Sequence, residues 1–214
     1  MERRRMMYTI VRSILWTIGH LLFRIRIEGR ENIPPTGGAL IVSNHISYAD
    51  SVLAGITTTR RARYLMWKPI YDFPVANYFF RLLHAIPINE RSPKSTIRAI
   101  QRARAELAAG HLVVIFAEGS ISRDGRLGAF ERGFEKILKG VEVPIVPMHI
   151  GGLWGHPLSC KGGGVLKSWE LLRPKVTIRI GAPVHGPVSP EELRELVGNL
   201  ASDRGTSSTI PARV

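Results

Sequence analysis

Residues 39–51 read ALIVSNHISYADS, and this stretch decides the fold. An apolar run of the kind that forms a short buried strand ends directly at Asn44 and His45. Asp50 comes soon afterwards, and a helix that opens after the turn places it in its first turns. Functional residues of α/β sheets collect at such strand ends. The stretch therefore predicts a strand, a loop that carries a titratable pair, and a helix.

Strand-like runs recur along the chain, with helical patterns between several of them. The runs lie at 24–28, 39–43, 63–67, 112–116, 144–150 and 176–180. This alternation predicts an α/β fold in which a single mixed sheet is flanked by helices. The clearest helical pattern covers 93–109, where Ser92 is placed to cap the start and Ile97, Ile100 and Leu107 mark the predicted buried stripe.

The composition indicates one globular domain, because 44% of the 214 residues are hydrophobic and neither a break nor a repeat divides the chain. We predict that the domain covers 24–200. An N-terminal amphipathic helix over 1–23 precedes it, and a small, polar and disordered tail over 201–214 follows it. Ser189 and Glu192 have the spacing of a capping box at the start of the last helix.

The N-terminal segment begins with basic residues and continues as an apolar run, but Arg12 and His20 interrupt that run and no small-residue cleavage site follows. On a helical wheel one face is apolar, formed by Met7, Ile10, Val11, Ile14, Leu15, Ile18, Leu21 and Leu22. Such a helix suits a membrane interface, with Arg3 to Arg5 near anionic headgroups, or the core of its own protein. For the apolar stretch 70–86 the choice is between a core helix, an acyl-chain groove and a membrane-facing surface.

The net charge predicts an anionic partner, since 30 Lys and Arg stand against 17 Asp and Glu. Nucleic acid, an acidic membrane and a phosphorylated substrate all fit this charge. We find no zinc-finger spacing, RNP-like strand or helix-turn-helix, so nucleic acid is disfavoured as a partner. Cys160 is the only cysteine, which excludes an internal disulfide and a cysteine-based zinc site and fits a reducing cytoplasmic location. We expect no metal.

His45 and Asp50 together have the chemistry of a general base. A carboxylate that accepts a hydrogen bond from one imidazole nitrogen leaves the other nitrogen free to take a proton. The ordinary pKa of histidine lies close to neutral pH, so a carboxylate partner poises it to deprotonate an alcohol. For an isolated pair the simpler interpretation is a capped helix start with a satisfied histidine. The other segments decide between the two.

Three further segments carry polar residues or prolines in a matching order. They are IPINERSP, which ends near Arg91, AEGSISR over 117–123 and VPIVP over 143–147. Together with NHISYAD they resemble the glycerolipid acyltransferase family typified by 1-acylglycerol-3-phosphate acyltransferases. Its blocks read NHxxxxD, a segment that ends in Arg, FPEGTRS and a VPIVPV-like strand. The match spans roughly 29–183.

The resemblance implies an O-acyltransferase that moves a fatty acyl group from acyl-CoA or acyl-ACP to the hydroxyl of a lysophospholipid, most directly 1-acyl-sn-glycerol-3-phosphate. His45 and Asp50 are then the catalytic dyad. Residues expected to hold the acceptor are Arg91, Glu118, Gly119 and Ser120, while 144–147 support the site. No cofactor is expected beyond the acyl donor. The expected location is the cytoplasmic face of a membrane, with peripheral or monotopic attachment to its anionic surface.

Two departures from the family pattern bear on the acceptor. Ala117 replaces the usual Pro, and Ile121 stands where the family commonly has an Arg. Arg123 or Arg126 is the candidate to supply the missing phosphate contact. The segment GGLWGHPLS over 151–159 also resembles a stretch of acyltransferase domains that reacylate 2-acylglycerophosphoethanolamine. A lysophosphatidylethanolamine acceptor therefore stays open, and so does a non-catalytic basic protein that binds a membrane or nucleic acid.

Overall fold

The computed structural model describes residues 2–160 and 173–202, with side chains in the first helix from Met6 onward. Nearly all of the predicted tail 201–214 and the side chains of Arg3 to Arg5 lie outside the described residues. The described elements alternate as the sequence predicts. They are α1 (Glu2–Leu22), β1 (Arg24–Glu28), β2 (Ala39–Ser43), α2 (Asp50–Ile56), β3 (Ala62–Trp67), α3 (Lys68–Tyr71), α4 (Pro74–Leu82), β4 (Ile86–Ile88), α5 (Pro93–Ala108), β5 (Leu112–Phe116), α6 (Gly133–Leu138), β6 (Ile145–Gly151), β7 (Lys175–Ile180) and α7 (Pro190–Asn199).

The strands form one sheet in the order β1-β7-β6-β2-β5-β3-β4. β6 and β7 pair antiparallel, and the other neighbouring strands pair parallel. The prediction of a single mixed sheet flanked by helices is confirmed. Because β2 lies between β5 and β6 and all three run parallel, their carboxyl ends meet at one edge of the sheet.

Strand β2 is buried on both faces of the sheet, which explains its unbroken apolar sequence. Ala39 and Ile41 belong to the core on the side of α2, whereas Leu40 and Val42 belong to the core on the side of α5, α6 and α7. The period-2 alternation of a strand divides neighbouring side chains between the two cores in this way. β2 is therefore held rigidly from both sides, and so is the loop that leaves it.

Helix α1 divides its side chains between the protein and the surface. Tyr8 and Gly19 are buried where the helix meets the body of the protein, and its contacts include α2, β1 and α4. The opposite side exposes large apolar residues, namely Met6, Ile10, Ile14, Ile18, Leu21 and Leu22. Among the helices that the structure describes, none combines the length and apolar character needed to cross a membrane.

Two details of the sequence interpretation are wrong. Residues Ile86–Ile88 form the edge strand β4, which the sequence pattern did not predict. Pro87 is tolerated there because one side of an edge strand forms no hydrogen bonds with a neighbouring strand. Ile97 was expected in the buried stripe of α5 but is 55% exposed. The helix instead buries Ala99, Ala103 and Leu107, since small side chains let it approach the sheet closely.

Candidate active site

The site begins where β2 ends. Asn44 bonds to the backbone of Ile150 in β6 through both polar atoms of its amide, with Nδ2 donating to the carbonyl at 2.9 Å and Oδ1 accepting from the N–H at 2.8 Å. These two bonds continue the β2–β6 pairing by one residue with a side chain in place of a backbone. His45 therefore leaves the sheet from a fixed point.

His45 and Asp50 are in direct contact, with Nδ1 of the imidazole 2.9 Å from Oδ2 of the carboxylate. Asp50 is the first residue of α2, as the sequence predicts, and is fully buried. The same Oδ2 atom accepts hydrogen bonds from the backbone N–H groups of Ile46 at 2.7 Å and Ser47 at 2.9 Å. Three donors thus converge on one oxygen, which fixes the carboxylate before any substrate binds.

The geometry determines which imidazole nitrogen can act. Because a carboxylate only accepts, the proton of neutral His45 resides on Nδ1, and Nε2 carries the free lone pair. The imidazole is partly accessible, with 18% of its side chain exposed, whereas Asp50 has no exposed surface. Phe116 at the end of β5 stacks on the ring with centroids 4.1 Å apart and planes inclined by 17°. The ring is thus oriented by the hydrogen bond to Asp50 at one edge and by the stacking of Phe116 on one face.

The backbone of His45 is held at both its polar groups. Its N–H donates to Oε1 of Glu118 at 2.8 Å, and its carbonyl accepts from the N–H of Ser122 at 2.8 Å. The second carboxylate oxygen of Glu118 accepts from the N–H of Gly128, also at 2.8 Å. The loop after β5 is therefore fastened to the catalytic candidate. Burial raises the pKa of Glu118, against the opposing effect of the two amide donors.

The other predicted acceptor residues lie at the same edge of the sheet but, in the part of the chain that the structure describes, none of them forms a hydrogen bond or ion pair with His45. Gly119 and Ser120 follow Glu118 on the surface of its loop, and Arg123 is exposed on the same loop. Arg91 follows β4, three strands away from β2, which is about 14 Å on strand spacing alone. The acceptor-binding assignments of these residues and of Glu118 stay predictions.

Sequence reasoning gave no role to several residues that shape this site. Phe116 and Ser122 contact His45, Gly128 contacts Glu118, and Asn44 binds the backbone of Ile150 where β2 ends. Gly128 has no Cβ for a physical reason, since a Cβ there would stand 2.9 Å from Oε2 of Glu118. The only signal in the sequence was the glycine-rich character of the loop, which does not indicate a partner.

The chain is similar in sequence to known acyltransferases. The family model described as Acyltransferase matches residues 24–151. A 1-acyl-sn-glycerol-3-phosphate acyltransferase from Arabidopsis thaliana, LPAT1, is 28% identical over 165 residues, covering 77% of this chain and 44% of that protein. One from Borreliella burgdorferi is 27% identical over 143 residues, covering 67% of this chain and 56% of its own length. This chain therefore spans roughly half the length of these relatives.

A solved structure has the same fold. The crystal structure of the 1-acyl-sn-glycerophosphate (LPA) acyltransferase PlsC from Thermotoga maritima superimposes with a TM-score of 0.71 at 26% sequence identity. The superposition covers 93% of this chain and 80% of that one. The shared fold thus extends over most of both chains.

Proposed function

This chain belongs to the Acyltransferase family, and from that premise we propose that it transfers a fatty acyl group from a thioester to the free hydroxyl of 1-acyl-sn-glycerol-3-phosphate. The observation that carries the proposal is the hydrogen bond between His45 and the buried Asp50. It leaves Nε2 free at the edge of the sheet where Glu118 and its loop also lie.

In the proposed reaction, Nε2 of His45 takes the proton of the acceptor hydroxyl while the oxygen attacks the thioester carbonyl. The tetrahedral intermediate then collapses, the carbon–sulfur bond breaks, and the imidazolium returns its proton to the departing thiolate. Asp50 stabilises the imidazolium in between by charge and by its Oδ2 contact. These proton transfers need no metal or further cofactor besides the acyl donor, which is a thioester of coenzyme A or acyl carrier protein.

We propose that arginines at the same edge of the sheet bind the phosphate of the acceptor. Arg91 and Arg123 are exposed and their guanidinium groups can each bind two phosphate oxygens. One observation favours a second acceptor, lysophosphatidylethanolamine. Ile121 is partly buried on the loop after β5, where the family pattern commonly has an Arg. A phosphodiester carries less charge than a phosphomonoester, so it loses less from the missing contact.

We propose that α1 and α4 attach the protein to the cytoplasmic face of a membrane. The single cysteine, Cys160, is free and exposed, which suits a reducing compartment. The helices are in contact, since the hydroxyl of Tyr78 donates to Sδ of Met7 at 3.7 Å. Next to the exposed apolar side of α1, α4 and the residues before it expose Phe73, Val75, Tyr78 and Phe79. An apolar surface shared by two helices on a protein of net charge +13 suits an anionic bilayer interface.

The activity is tested with purified protein, lysophosphatidate in vesicles, and acyl-CoA or acyl-ACP as donor. We expect thiol release coupled to formation of phosphatidate, with slower transfer to lysophosphatidylethanolamine. The control is a folded His45→Ala variant, which separates enzymatic transfer from spontaneous thioester hydrolysis. If the folded wild-type protein transfers no acyl group to any lysophospholipid from either donor, the proposal is wrong.

A further inference from the structure

A polar cavity lies away from the catalytic dyad. Its volume is about 230 Å³, and it lies among α3, α4, β4 and α5. The polar side chains in its lining are Tyr71, Arg81, His84 and Arg102. His84 precedes β4, whereas His45 follows β2, and these strands run in the same direction through β3 and β5. The cavity therefore lies towards the opposite edge of the sheet from His45.

The charge around this cavity is positive. Two guanidinium groups and an imidazole line it, and its lining contains no acidic residue. Two acidic residues lie close to the lining, and both have basic partners. Glu106 pairs with Arg63 at 3.0 Å and with Arg102 at 2.7 Å, and Asp72, which follows Tyr71, pairs with Lys68. In the part of the chain that the structure describes, no side chain pairs with the guanidinium of Arg81. Four basic side chains, Arg63, Lys68, Arg81 and Arg102, thus stand against two carboxylates in and beside the lining, and the balance favours an anionic ligand.

His84 occupies an unusual position for a histidine. α4 ends in a Schellman motif, in which the N–H of Ala85 bonds to the carbonyl of Phe80 and the N–H of His84 to that of Arg81. The left-handed residue of this motif is usually glycine, but here it is His84 with φ of 56°. Residues other than glycine rarely adopt this conformation, and such residues are concentrated at functional sites.

The surroundings of the cavity indicate where an anionic ligand comes from. Arg81 lies on α4, one turn beyond Tyr78 and next along the chain to the apolar Phe79 and Phe80. Tyr78 and Phe79 are 58% and 46% exposed. A phosphate bound by Arg81 therefore lies beside an apolar surface that suits hydrocarbon chains.

We propose that this cavity is an accessory binding site for a phosphate group, separate from the catalytic centre, and that its ligand is the headgroup phosphate of an anionic lipid. Arg81 and Arg102 supply charge-assisted hydrogen bonds, and His84 supplies an imidazole N–H. The site holds the protein on anionic membrane, independently of the acceptor that the dyad processes.

The test compares an Arg81→Gln/Arg102→Gln variant with a control that loses the same charge. Arg132→Gln/Lys139→Gln is suitable, because both residues are exposed and lie beside α6, away from the cavity. Binding is measured by co-sedimentation with phosphatidylcholine vesicles, with and without about 20 mol% phosphatidylglycerol. We expect the cavity variant to bind the anionic vesicles about 10-fold more weakly than the control, as for the loss of one charge-assisted bond. Binding to neutral vesicles should be equal.

A second arm distinguishes a lipid from a soluble ligand. Inorganic phosphate is added to each protein, and the imidazole resonances of His84 and the Tm are followed. Weaker vesicle binding by the cavity variant supports the lipid. A response to free phosphate in the wild type alone, with vesicle binding equal to the control, supports the phosphate site but rejects the lipid as its ligand. If the cavity variant matches the control in both arms, the proposal is overturned.

His84→Gly is a further variant, and we expect that any effect it has on binding cannot be attributed to loss of folding. Glycine adopts a positive φ without strain, so we expect this variant to have a higher Tm than the wild type. If the imidazole binds phosphate, its affinity for anionic vesicles nevertheless falls. A raised Tm with unchanged binding removes His84 from the site. Acyl transfer in detergent micelles is expected to be unchanged in these variants, so this proposal and the proposed activity stand or fall separately.

Discussion

The carboxylate of Glu118 accepts a hydrogen bond from the backbone N–H of His45 at 2.8 Å, so the loop after β5 positions the residue at the end of β2. This contact joins two segments 73 residues apart in the sequence. Because the side chain of His45 is fixed separately by Asp50 and Phe116, the histidine is held through its backbone and through its ring. Removing the backbone support and removing the ring support are expected to lower kcat to different extents.

Replacing Glu118 with Gln tests the backbone support. Glutamine keeps one acceptor but turns an NH₂ group towards either the N–H of His45 or that of Gly128. We expect kcat to fall about 10-fold, or roughly 1.4 kcal/mol, with little change in KM for the acceptor. Glu135→Gln on the exposed side of α6 is the matched control. A raised KM with kcat intact would instead show that Glu118 holds the acceptor, as the sequence suggested.

Replacing Asp50 with Asn tests the side-chain support. If the amide oxygen keeps the position of Oδ2, the NH₂ group occupies that of Oδ1, which is buried and has no hydrogen-bond partner among the described residues. The imidazolium also loses its counter-charge. We expect kcat to fall by roughly 10²- to 10⁴-fold, the range for loss of a positioned base. The kcat of His45→Ala should fall to a similar extent.

Both variants are checked for folding by circular dichroism before acyl transfer is measured. The two losses should not add in the double variant, because each change removes the same proton transfer. Near-normal transfer by His45→Ala, or additive losses in the double variant, would contradict the dyad assignment.

The sequence predicted the part of this site that is local. β2, His45 and the first turn of α2 lie within one stretch of chain, and their geometry follows from strand and helix periodicity. The supports from Phe116, Ser122 and Gly128 could not be predicted in the same way. They depend on β5 lying beside β2 and on the path of a loop, and neither leaves a periodic pattern in the sequence.

The errors in the fold have a similar cause. β4 has only three residues, of which one is Pro87, so it gives too short a pattern to recognise. In α5 the apolar pattern predicted that Ile97 is buried, but the packing of the helix in the core buries Ala99 and Ala103 instead. The strong elements, such as β2 and β5, were predicted to the residue because burial on both faces leaves an unbroken apolar run.

His149 predicts how stability depends on pH. Burial, reinforced by Arg179, lowers the pKa of His149 to about 4. Between its ordinary pKa of 6.5 and this value, the unfolded chain binds a proton that the folded protein does not, so stability falls as pH falls. From neutral pH to pH ~5, His149 alone should cost about 2 kcal/mol.

The measurement is the free energy of unfolding in urea at both pH values, for the wild type and His149→Gln. His84 and His111 also have lowered pKa values from burial, but they contribute equally to both proteins. The variant should therefore lose less stability on acidification than the wild type. Equal losses in the two proteins would show that His149 is protonated without cost in the folded state.

The exposed side of α1 predicts weaker membrane binding when its apolar residues are replaced. Ile10 and Ile14 are 50% and 51% exposed, so Ile10→Ser/Ile14→Ser removes membrane contact without opening the core. Deleting α1 is a poorer test because Tyr8 and Gly19 of this helix are buried against the body of the protein. We expect affinity for anionic vesicles to fall at least about 10-fold, given roughly 1.5 kcal/mol or more for each buried side chain.

Ile97→Ser is the matched control, since Ile97 on α5 is 55% exposed and lies on another face of the protein. It should bind vesicles as the wild type does. If the α1 variant also binds like the wild type, while both remain folded, this helix does not contact the membrane and the attachment surface lies elsewhere.

The last prediction concerns the acceptor headgroup and depends on Ile121. This residue is partly buried on the loop that Glu118 and Ser122 fasten to His45, so a side chain introduced there is held near the dyad. A dianionic phosphomonoester gains more from an added guanidinium than a phosphodiester does. Ile121→Arg should therefore raise the ratio of kcat/KM for lysophosphatidate over lysophosphatidylethanolamine by about 10-fold, corresponding to roughly 1.5 kcal/mol.

The comparison uses one acyl donor throughout, with Ala108→Arg, exposed at the C-terminal end of α5, as a control for added charge at a distance from the site. If Arg123 already supplies the contact, Arg123→Gln should lower the same ratio in the wild type, and Ile121→Arg should restore it in that background. A ratio that stays constant through all these variants, in enzymes that still turn over, would mean that neither position faces the headgroup. Selectivity would then have to come from Arg91, which follows β4, or from Arg126, the other candidate for the missing phosphate contact.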